Sequence, residues 1–414
     1  MLDEIDRPDL TRRLERALDV AERAVDALGA TGYEDADDPS LDVSSEKIVA
    51  ETAMLLWSAS HPGVGPEVGR RVRDLAGVLV EPARSDAVLA RAALQPSLAL
   101  GLAVPHVLLT RLGHPDIGVD EFFRCCIASV GARGHELPPY GALEKLWVRG
   151  LWGLPSPADE WQPVLRGSVL GLPLDVLGGL REDAYALTHG LMYVTDFGAR
   201  RRLLPRPAEA VLADARALLA VYVDSGDYDL VGELLMAWPF LCEPPCPTVR
   251  FVFRLLTAVE DRVGLVPGGT TNAARLRSLT GERRRLYALA TAYHTAYVMG
   301  MLCAASLRPM PAVLATAANT GFVLDSGIEV EQPDVEQVLG GLSDAERGQV
   351  GPFLLDLALA GLVRRRAYGQ VAELLQWMDE SGRPVSNLAT QAKELLVRLA
   401  SGLSPRAEAM AVAS

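Results

Sequence analysis

Two segments of the chain place histidine, tyrosine and carboxylate side chains on one face of a predicted helix. In the first, EDAYALTHGLMYVTDFG, that face carries Glu182, Tyr185, His189, Tyr193 and Asp196. Their spacings of three and four residues keep the five side chains in one sector of a helix that turns about 100° per residue. The opposite face is apolar and suited to packing. The pattern predicts that the polar face lines a cavity.

The second segment, RRRLYALATAYHTAYVMGML, repeats this pattern with Tyr287, His294 and Tyr297. An imidazole with a pKa near ~6.5 exchanges protons at neutral pH, and a second imidazole across a cavity can perform the converse transfer. We therefore predict that His189 and His294 form a catalytic acid/base pair. Asp196 completes the predicted catalytic set, because a carboxylate can fix the tautomer of an imidazole.

Phenol groups beside such a pair can orient a substrate or donate to a developing oxyanion. The predicted substrate-binding residues are Tyr185, Tyr193, Tyr287, Tyr297 and Glu182. Glu182 is also an alternative to Asp196 for orienting an imidazole, and the segment HELPPYGALEKLW offers Glu144 or Tyr140 as a further lining residue.

The same two patterns also have a purely structural explanation. Tyrosine and histidine in buried helices often hydrogen-bond to neighbouring carbonyl groups and have no other role. A functional cavity and internal polar packing therefore both stay open at this point.

A metal centre is not predicted from these segments. A zinc or iron site needs three or four ligands from His, Cys, Asp or Glu. Glu182 and His189 are seven residues apart, which is ~10 Å along a helix axis and too far for one ion. Neither segment contains the Glu-x-x-His motif of helical di-iron proteins. We predict metal-free chemistry that requires no cofactor, with a metal site supplied by His189, His294, Glu182 and Asp196 as the less favoured alternative.

The fold class follows from the periodicity of the apolar residues. A helical period recurs along the chain and no run alternates with a period of two, which predicts an all-α protein without a sheet. AVYVDSGDYDLVGELLMAW and AGLVRRRAYGQVAELLQWM are similar to each other, as expected of stacked antiparallel helix pairs in an α/α solenoid or barrel. The predicted divisions are an N-terminal helical region 1–155, a C-terminal helical region 156–403 with the cavity, and a disordered tail 404–414.

Composition narrows the class of function. A formal net charge of -13 argues against binding to nucleic acid, which requires concentrated basic surface. No stretch approaches the ~18 uninterrupted apolar residues of a membrane span. The five cysteines are scattered, as in proteins of a reducing compartment, so we predict a cytoplasmic location. Only three of the 40 basic residues are lysine, a bias typical of GC-rich actinobacterial genomes. The sequence leaves a homodimer open.

The tracts THGLMYVTDFG and AYHTAYVMGMLC resemble an uncharacterised family of helical proteins in actinobacteria. This resemblance, carried by a THxxxYxTDFG motif and a later YHT helix, extends over residues 181–306. It implies a shared architecture and a setting near natural-product pathways, and it assigns no reaction.

Two functions are therefore expected. The first is a tailoring enzyme of natural-product biosynthesis that isomerises, eliminates or cyclises a small-molecule or peptide substrate by acid/base chemistry. The alternative is a non-catalytic helical-repeat scaffold that holds a peptide or partner protein in its concave face.

Overall fold

The computed structural model describes residues 6–30, 44–130, 137–154, 160–269, 271–309 and 333–412. Throughout these ranges the regular elements are helices and none is a strand. The helices pack against one another without a sheet. The prediction of an all-α protein is confirmed.

The α-helices vary in length from 4 to 26 residues, and 3-10 turns lie at Pro62–Val64 and Pro96–Leu98. In chain order the α-helices are α1 (Arg7–Ala30), α2 (Ser45–Ser58), α3 (Pro66–Ala83), α4 (Asp86–Leu94), α5 (Ala99–Leu102), α6 (Val104–Arg111), α7 (Ile117–Ser129), α8 (Pro139–Trp152), α9 (Trp161–Arg166), α10 (Arg181–Thr195), α11 (Ala208–Ser225), α12 (Tyr228–Leu235), α13 (Ala237–Leu241), α14 (Pro247–Val263), α15 (Ala273–Ser278), α16 (Gly281–Ser306), α17 (Pro333–Gly340), α18 (Asp344–Arg364), α19 (Tyr368–Glu380) and α20 (Asn387–Val412).

Helix α16 is the element around which the site is built. Its 26 residues contain no proline, and most positions from Tyr287 to Ala305 are buried. It packs along α1 and also contacts α2, α12 and α13. Gly300 allows the closest approach, because a Cβ at that position would lie 2.6 Å from the Ala17 Cβ of α1 and 2.9 Å from the Leu55 Cδ1 of α2. The second predicted histidine helix therefore lies in the interior.

The internal similarity in the second half corresponds to two helix pairs. Helix α12 packs on α11, α19 packs on α18, and the two pairs meet where α11 contacts α18. Each pair is stabilised by burial of its apolar face against the other, as in helical-repeat proteins. The predicted stacking of helix pairs is present in this part of the molecule.

One continuous cluster of buried apolar side chains extends from Leu10 to Ala392. Helices on both sides of residue 155 contribute to it, since α1 and α2 pack on α16 and α8 packs on α10. Helix α20 extends to Val412 and so covers most of segment 404–414. The cavity described below draws its residues from both predicted regions.

No single helix of the described ranges is long and apolar enough to cross a membrane. One pair of helices, Asp86–Leu94 with Pro96–Arg111, meets the length and hydropathy criteria together, but its two members are bent by 113° at their junction.

Candidate functional site

A polar cavity of about 830 Å³ lies where helices α2, α8, α10, α12 and α16 approach one another. Its wall includes Glu51, Tyr140, His189, Asp229 and His294, one side chain from each helix. This volume falls in the range of about 300–1,000 Å³ that is usual for small-molecule sites. The structure therefore brings both predicted catalytic histidines to one cavity.

The two ends of helix α10 fix the position of His189. At its start the backbone N–H of Leu180 donates to the Asp183 carboxylate at 2.8 Å. At its end Asp196, Phe197 and Gly198 all have positive φ values of 50°, 53° and 80°, which terminates the helix. The apolar face of the helix is buried, so the face with His189 is directed toward the cavity.

Three carboxylates surround His294. Its Nδ1 lies 3.0 Å from Glu51 Oε2, and its Nε2 lies 3.3 Å from Asp229 Oδ1 and 3.7 Å from Glu233 Oε1. Burial lowers the pKa of His294, but the Glu51, Glu233 and Asp229 carboxylates outweigh this and hold it well above its ordinary value. The ring is 30% exposed and solvent reaches it through the cavity.

His189 approaches the same carboxylate from the other helix. Its Nε2 is 3.7 Å from Glu233 Oε1, so the Nε2 atoms of the two histidines are separated by no more than twice this distance. Burial lowers the pKa of His189, and Glu233 more than compensates, so the net pKa is raised. The rings of Tyr185 and Tyr140 lie 5.6 and 5.9 Å from the imidazole. These two phenols enclose His189 on the cavity side.

Glu233 is the carboxylate shared by the two histidines. Its side chain is 3% exposed, and its Oε2 accepts a hydrogen bond of 2.5 Å from Thr188 Oγ1. Burial raises the pKa of Glu233, but the imidazoles of His189 and His294 hold it far below its ordinary value. Glu233 is therefore an anion between two imidazoles.

Asp229 lies one helical turn before Glu233 and differs from it in hydrogen bonding. Its Oδ2 accepts a 2.7 Å hydrogen bond from the Tyr185 hydroxyl. Its Oδ1 is buried and accepts no hydrogen bond from the described residues. Burial raises the pKa of Asp229, with His294 acting in the opposite direction. One oxygen of a buried carboxylate is thus left facing His294.

Asp229, Glu233 and His294 form a group that could hold a metal ion, whereas no metal ligands were predicted from the sequence. One ligand atom each from Asp229, Glu233 and His294 lies within 4.8 Å of the other two. The prediction counted only residues of the α10 and α16 segments and so omitted both carboxylates of α12. Glu182 is not one of these three residues and lies at the cavity rim.

Tyr193 and Glu144 form a second pair behind His189. Tyr193 hydrogen-bonds to Glu144, and its ring centroid is 6.2 Å from that of His189. Burial raises the pKa of both the Tyr193 phenol and the Glu144 carboxyl. Tyr193 therefore contacts the imidazole from the core and is absent from the wall of the cavity, where Tyr185 and Tyr140 lie.

The structure places Asp196 at a different site from the one predicted. Its Oδ1 accepts hydrogen bonds from the indole N–H groups of Trp57 (2.9 Å) and Trp147 (2.8 Å), and Arg200 Nε lies 3.2 Å from Oδ2. The carboxylate beside His189 is Glu233. Asp196 therefore joins α2, α8 and the end of α10, and the predicted role in orienting a catalytic imidazole is corrected accordingly.

Two of the predicted substrate-binding tyrosines are also used elsewhere. Tyr297 is fully buried, and its hydroxyl is 2.9 Å from Thr52 Oγ1 of α2. The hydroxyl of Tyr287 accepts a 3.1 Å hydrogen bond from the Asn272 backbone N–H, which fixes the loop before α15. Neither contributes to the wall of the cavity. Of the predicted substrate contacts, Tyr185 and Glu182 line it.

Three functional candidates, Glu51, Asp229 and Glu233, were missed from the sequence. Asp229 and Glu233 stand four residues apart on the otherwise apolar helix YDLVGELL, where both are buried. Carboxylates in an apolar helix are rare unless they are paired, and this was the available signal. Glu51 gave no comparable signal because it forms an ordinary i, i+4 pair with Lys47.

Comparison with known proteins adds a family and no activity. No curated protein and no solved structure matches the chain. A family described as "Domain of unknown function (DUF6895)" matches residues 14–304. This range includes every residue of the cavity from Glu51 to His294. The chain therefore belongs to the DUF6895 family.

Proposed function

We propose that the chain is an enzyme that converts a small polar molecule in the cavity by transfer of protons. The observation that carries the proposal is the approach of two imidazoles to Glu233 Oε1, each with its Nε2 at 3.7 Å, beside a cavity of about 830 Å³. A buried anion between two imidazoles stabilises the protonated form of either one, so that one imidazole can donate a proton while the other, in its neutral form, accepts one.

Each group has a distinct role in this scheme. His189 transfers the proton to or from substrate, because its ring lies against the phenols of Tyr185 and Tyr140 on the cavity side. Glu233 holds that imidazole in place and stabilises its charge. His294 is the second imidazole and is fixed by Glu51. Isomerisation, elimination and cyclisation each remove a proton at one position of the substrate and deliver a proton at another, so one imidazole acts as the base and the other as the acid.

We propose natural-product biosynthesis in an actinobacterium as the setting, and this part rests on the sequence resemblance and on the scarcity of lysine. The alternative, a helical scaffold for a peptide or partner protein, would use the same aromatic side chains for recognition. The buried carboxylate and imidazole cluster favours the enzyme, because a binding groove does not require charges with perturbed pKa values.

The test is conversion of metabolites by three forms of the purified protein. Wild type, His189→Gln and the control His114→Gln, whose ring lies outside the cavity, are incubated with a small-molecule extract and compared by mass spectrometry. We expect wild type and His114→Gln to consume the same compound and His189→Gln to be slower by about 100-fold or more. Equal conversion by His189→Gln, with a native circular dichroism spectrum, would reject the proposal.

A further inference from the structure

We infer that Asp229, Glu233 and His294 bind one divalent transition-metal ion at the wall of the cavity. The three ligand atoms converge, since His294 Nε2 is 3.3 Å from Asp229 Oδ1 and 3.7 Å from Glu233 Oε1, and the group as a whole lies within 4.8 Å. Ligands on one zinc ion, each about 2.0–2.2 Å from it, can be no more than roughly 4.4 Å apart. Small side-chain movements would therefore place one ion among the three.

Each of the three ligands also contacts a neighbouring side chain, and these contacts support the assignment of a metal site. Glu51 binds Nδ1 of His294, Tyr185 donates to Oδ2 of Asp229, and Thr188 donates to Oε2 of Glu233. In each case one polar atom of the ligand is occupied by a neighbour and the other atom points to the shared position. Metal-binding histidines and carboxylates in proteins are oriented by such outer contacts.

The buried oxygen Oδ1 of Asp229 accepts no hydrogen bond from the described residues and faces His294 Nε2, which neutralises it when the imidazole is protonated and leaves it to a bound cation when the imidazole is neutral. The side chain is 9% exposed. A carboxylate oxygen in that position costs free energy unless it is paired with a donor or a cation. Its separation of 3.3 Å from His294 Nε2 is the distance at which both atoms can bind one ion.

The donor set indicates the class of ion. Two carboxylate oxygens and one imidazole nitrogen suit Zn²⁺, Mn²⁺ or Fe²⁺, whereas Ca²⁺ and Mg²⁺ prefer ligand sets made of oxygen alone. Two carboxylates also neutralise the charge of a divalent ion. Three protein ligands leave coordination positions open toward the cavity, which is the arrangement of catalytic and not of structural sites.

The inference replaces the proton-transfer role that the proposed function gives to His294 with the role of a ligand, which requires that Nε2 has lost its proton. With an ion bound, His294 Nε2 is a ligand and His189, which lies outside the group of three, remains free to transfer protons. A bound ion would supply Lewis acidity toward the cavity. The part that concerns catalysis rests on the proposed function, but binding of the ion does not.

The test measures ion binding without any substrate. Metal-free protein is titrated with ZnCl₂ and MnCl₂ by calorimetry, and Mn²⁺ binding is followed by electron paramagnetic resonance. We expect one ion per chain in wild type, a loss of more than about 100-fold in affinity in Asp229→Asn, and a loss of roughly 10–100-fold in Glu51→Gln, which removes only an outer contact. Glu182→Gln, a carboxylate at the rim of the same cavity, is the matched control and should bind as wild type does.

The possible results distinguish failure of the metal site from failure of the proposed function. A wild type that binds no ion, or an Asp229→Asn variant that binds like wild type, overturns the metal site. Thermal unfolding of wild type and Asp229→Asn, each with and without ZnCl₂, shows whether the variant is folded. Only wild type should gain stability from the ion. Conversion of metabolites that persists in a chelator would leave the proposed function standing, whereas ion binding without any conversion would leave only the metal site.

Discussion

His294 and Glu51 are 243 residues apart in the chain, yet their side chains meet with 3.0 Å between Nδ1 and Oε2. A carboxylate can only accept a hydrogen bond, so Nδ1 carries the proton and Nε2 is directed to Asp229 and Glu233. This contact between α2 and α16 therefore decides which nitrogen of His294 faces the cavity.

Substitution of this pair should show strong energetic coupling. We expect Glu51→Gln and His294→Gln to be non-additive in the free energy of unfolding by about 0.5–3 kcal/mol, because each variant leaves the other, partly buried partner without its counterpart. Urea unfolding of the wild type, the two single variants and the double variant measures the coupling. Additivity within about 0.5 kcal/mol would mean that the contact contributes little to the fold.

Gly232 sets the distance between α12 and α16 at the site. A Cβ at this position would lie 2.7 Å from Val298 Cγ1, so Gly232→Ala should force the two helices apart and destabilise the protein by about 1–3 kcal/mol. We also expect weaker Mn²⁺ binding, since Asp229 and Glu233 would move away from His294.

The reversal of this effect is a stringent control. Val298→Ala removes the methyl groups that the new Cβ would meet. The double variant should therefore recover most of the lost Mn²⁺ affinity, while Val298→Ala alone should bind Mn²⁺ nearly as wild type does. If the double variant binds no better than Gly232→Ala, contact between these two helices does not set the geometry of the site.

Asp196 should prove important for stability and unimportant for the chemistry in the cavity. Asp196→Ala leaves two indole N–H groups without an acceptor and puts alanine at a φ of 50°, which together should cost about 2–4 kcal/mol of unfolding free energy. Asp196→Asn keeps an acceptor oxygen and tolerates this backbone conformation, so it should cost less than about 1 kcal/mol. The measurement is chemical unfolding monitored by tryptophan fluorescence, and equal losses in both variants would contradict this role.

Asp356 should make stability depend on pH. Burial raises the pKa of this carboxyl to about 7, although Ser386 Oγ donates to it. Between the ordinary value of 3.8 and about 7 the folded protein holds a proton that the unfolded chain has lost. The free energy of unfolding should therefore fall as the pH rises through this window and then level off.

The matched variant is Asp356→Asn, which is neutral at every pH and retains an acceptor for Ser386. At pH 8 it should be more stable than wild type by on the order of 1–4 kcal/mol, as one pKa unit corresponds to about 1.4 kcal/mol. At pH 4 the two proteins should be nearly equal. Urea unfolding at both pH values gives the comparison, and parallel stability profiles for the two proteins would rule out Asp356 as the source of the slope.

The helices were predictable because their apolar period is a local property of the sequence. The periodicity in residues 182–198 and in the RRRLYALATAYHTAYVMGML segment corresponds to α10 and α16. The polar faces of these helices identified His189 and His294 as candidates, and the sequence left open whether the two share one cavity. Periodicity gives the direction in which a side chain points about the helix axis. It does not give the neighbour that the side chain contacts.

This limit explains the residues that were misplaced. Tyr297 lies three residues after His294, close enough to share its face on a helical wheel, yet it contacts Thr52 on α2 and not the cavity. Asp196 continues the face of His189 in sequence, but the helix ends there with a positive φ and turns the carboxylate to two tryptophans. Both errors arise from long-range packing, which the spacing of residues cannot contain.

The residues of the site lie far apart in the chain, so the order in which the ribosome makes them affects how the site assembles. Glu51 is made early and His294 nearly 250 positions later, so the acidic groups of α2 and α12 exist on the nascent chain before any imidazole of α16 can neutralise them. Closure of so long a loop is entropically costly and slow compared with the formation of single helices. We expect the cavity to assemble late, after α16 has left the ribosome, and fragments that end before this helix to lack the chemistry altogether.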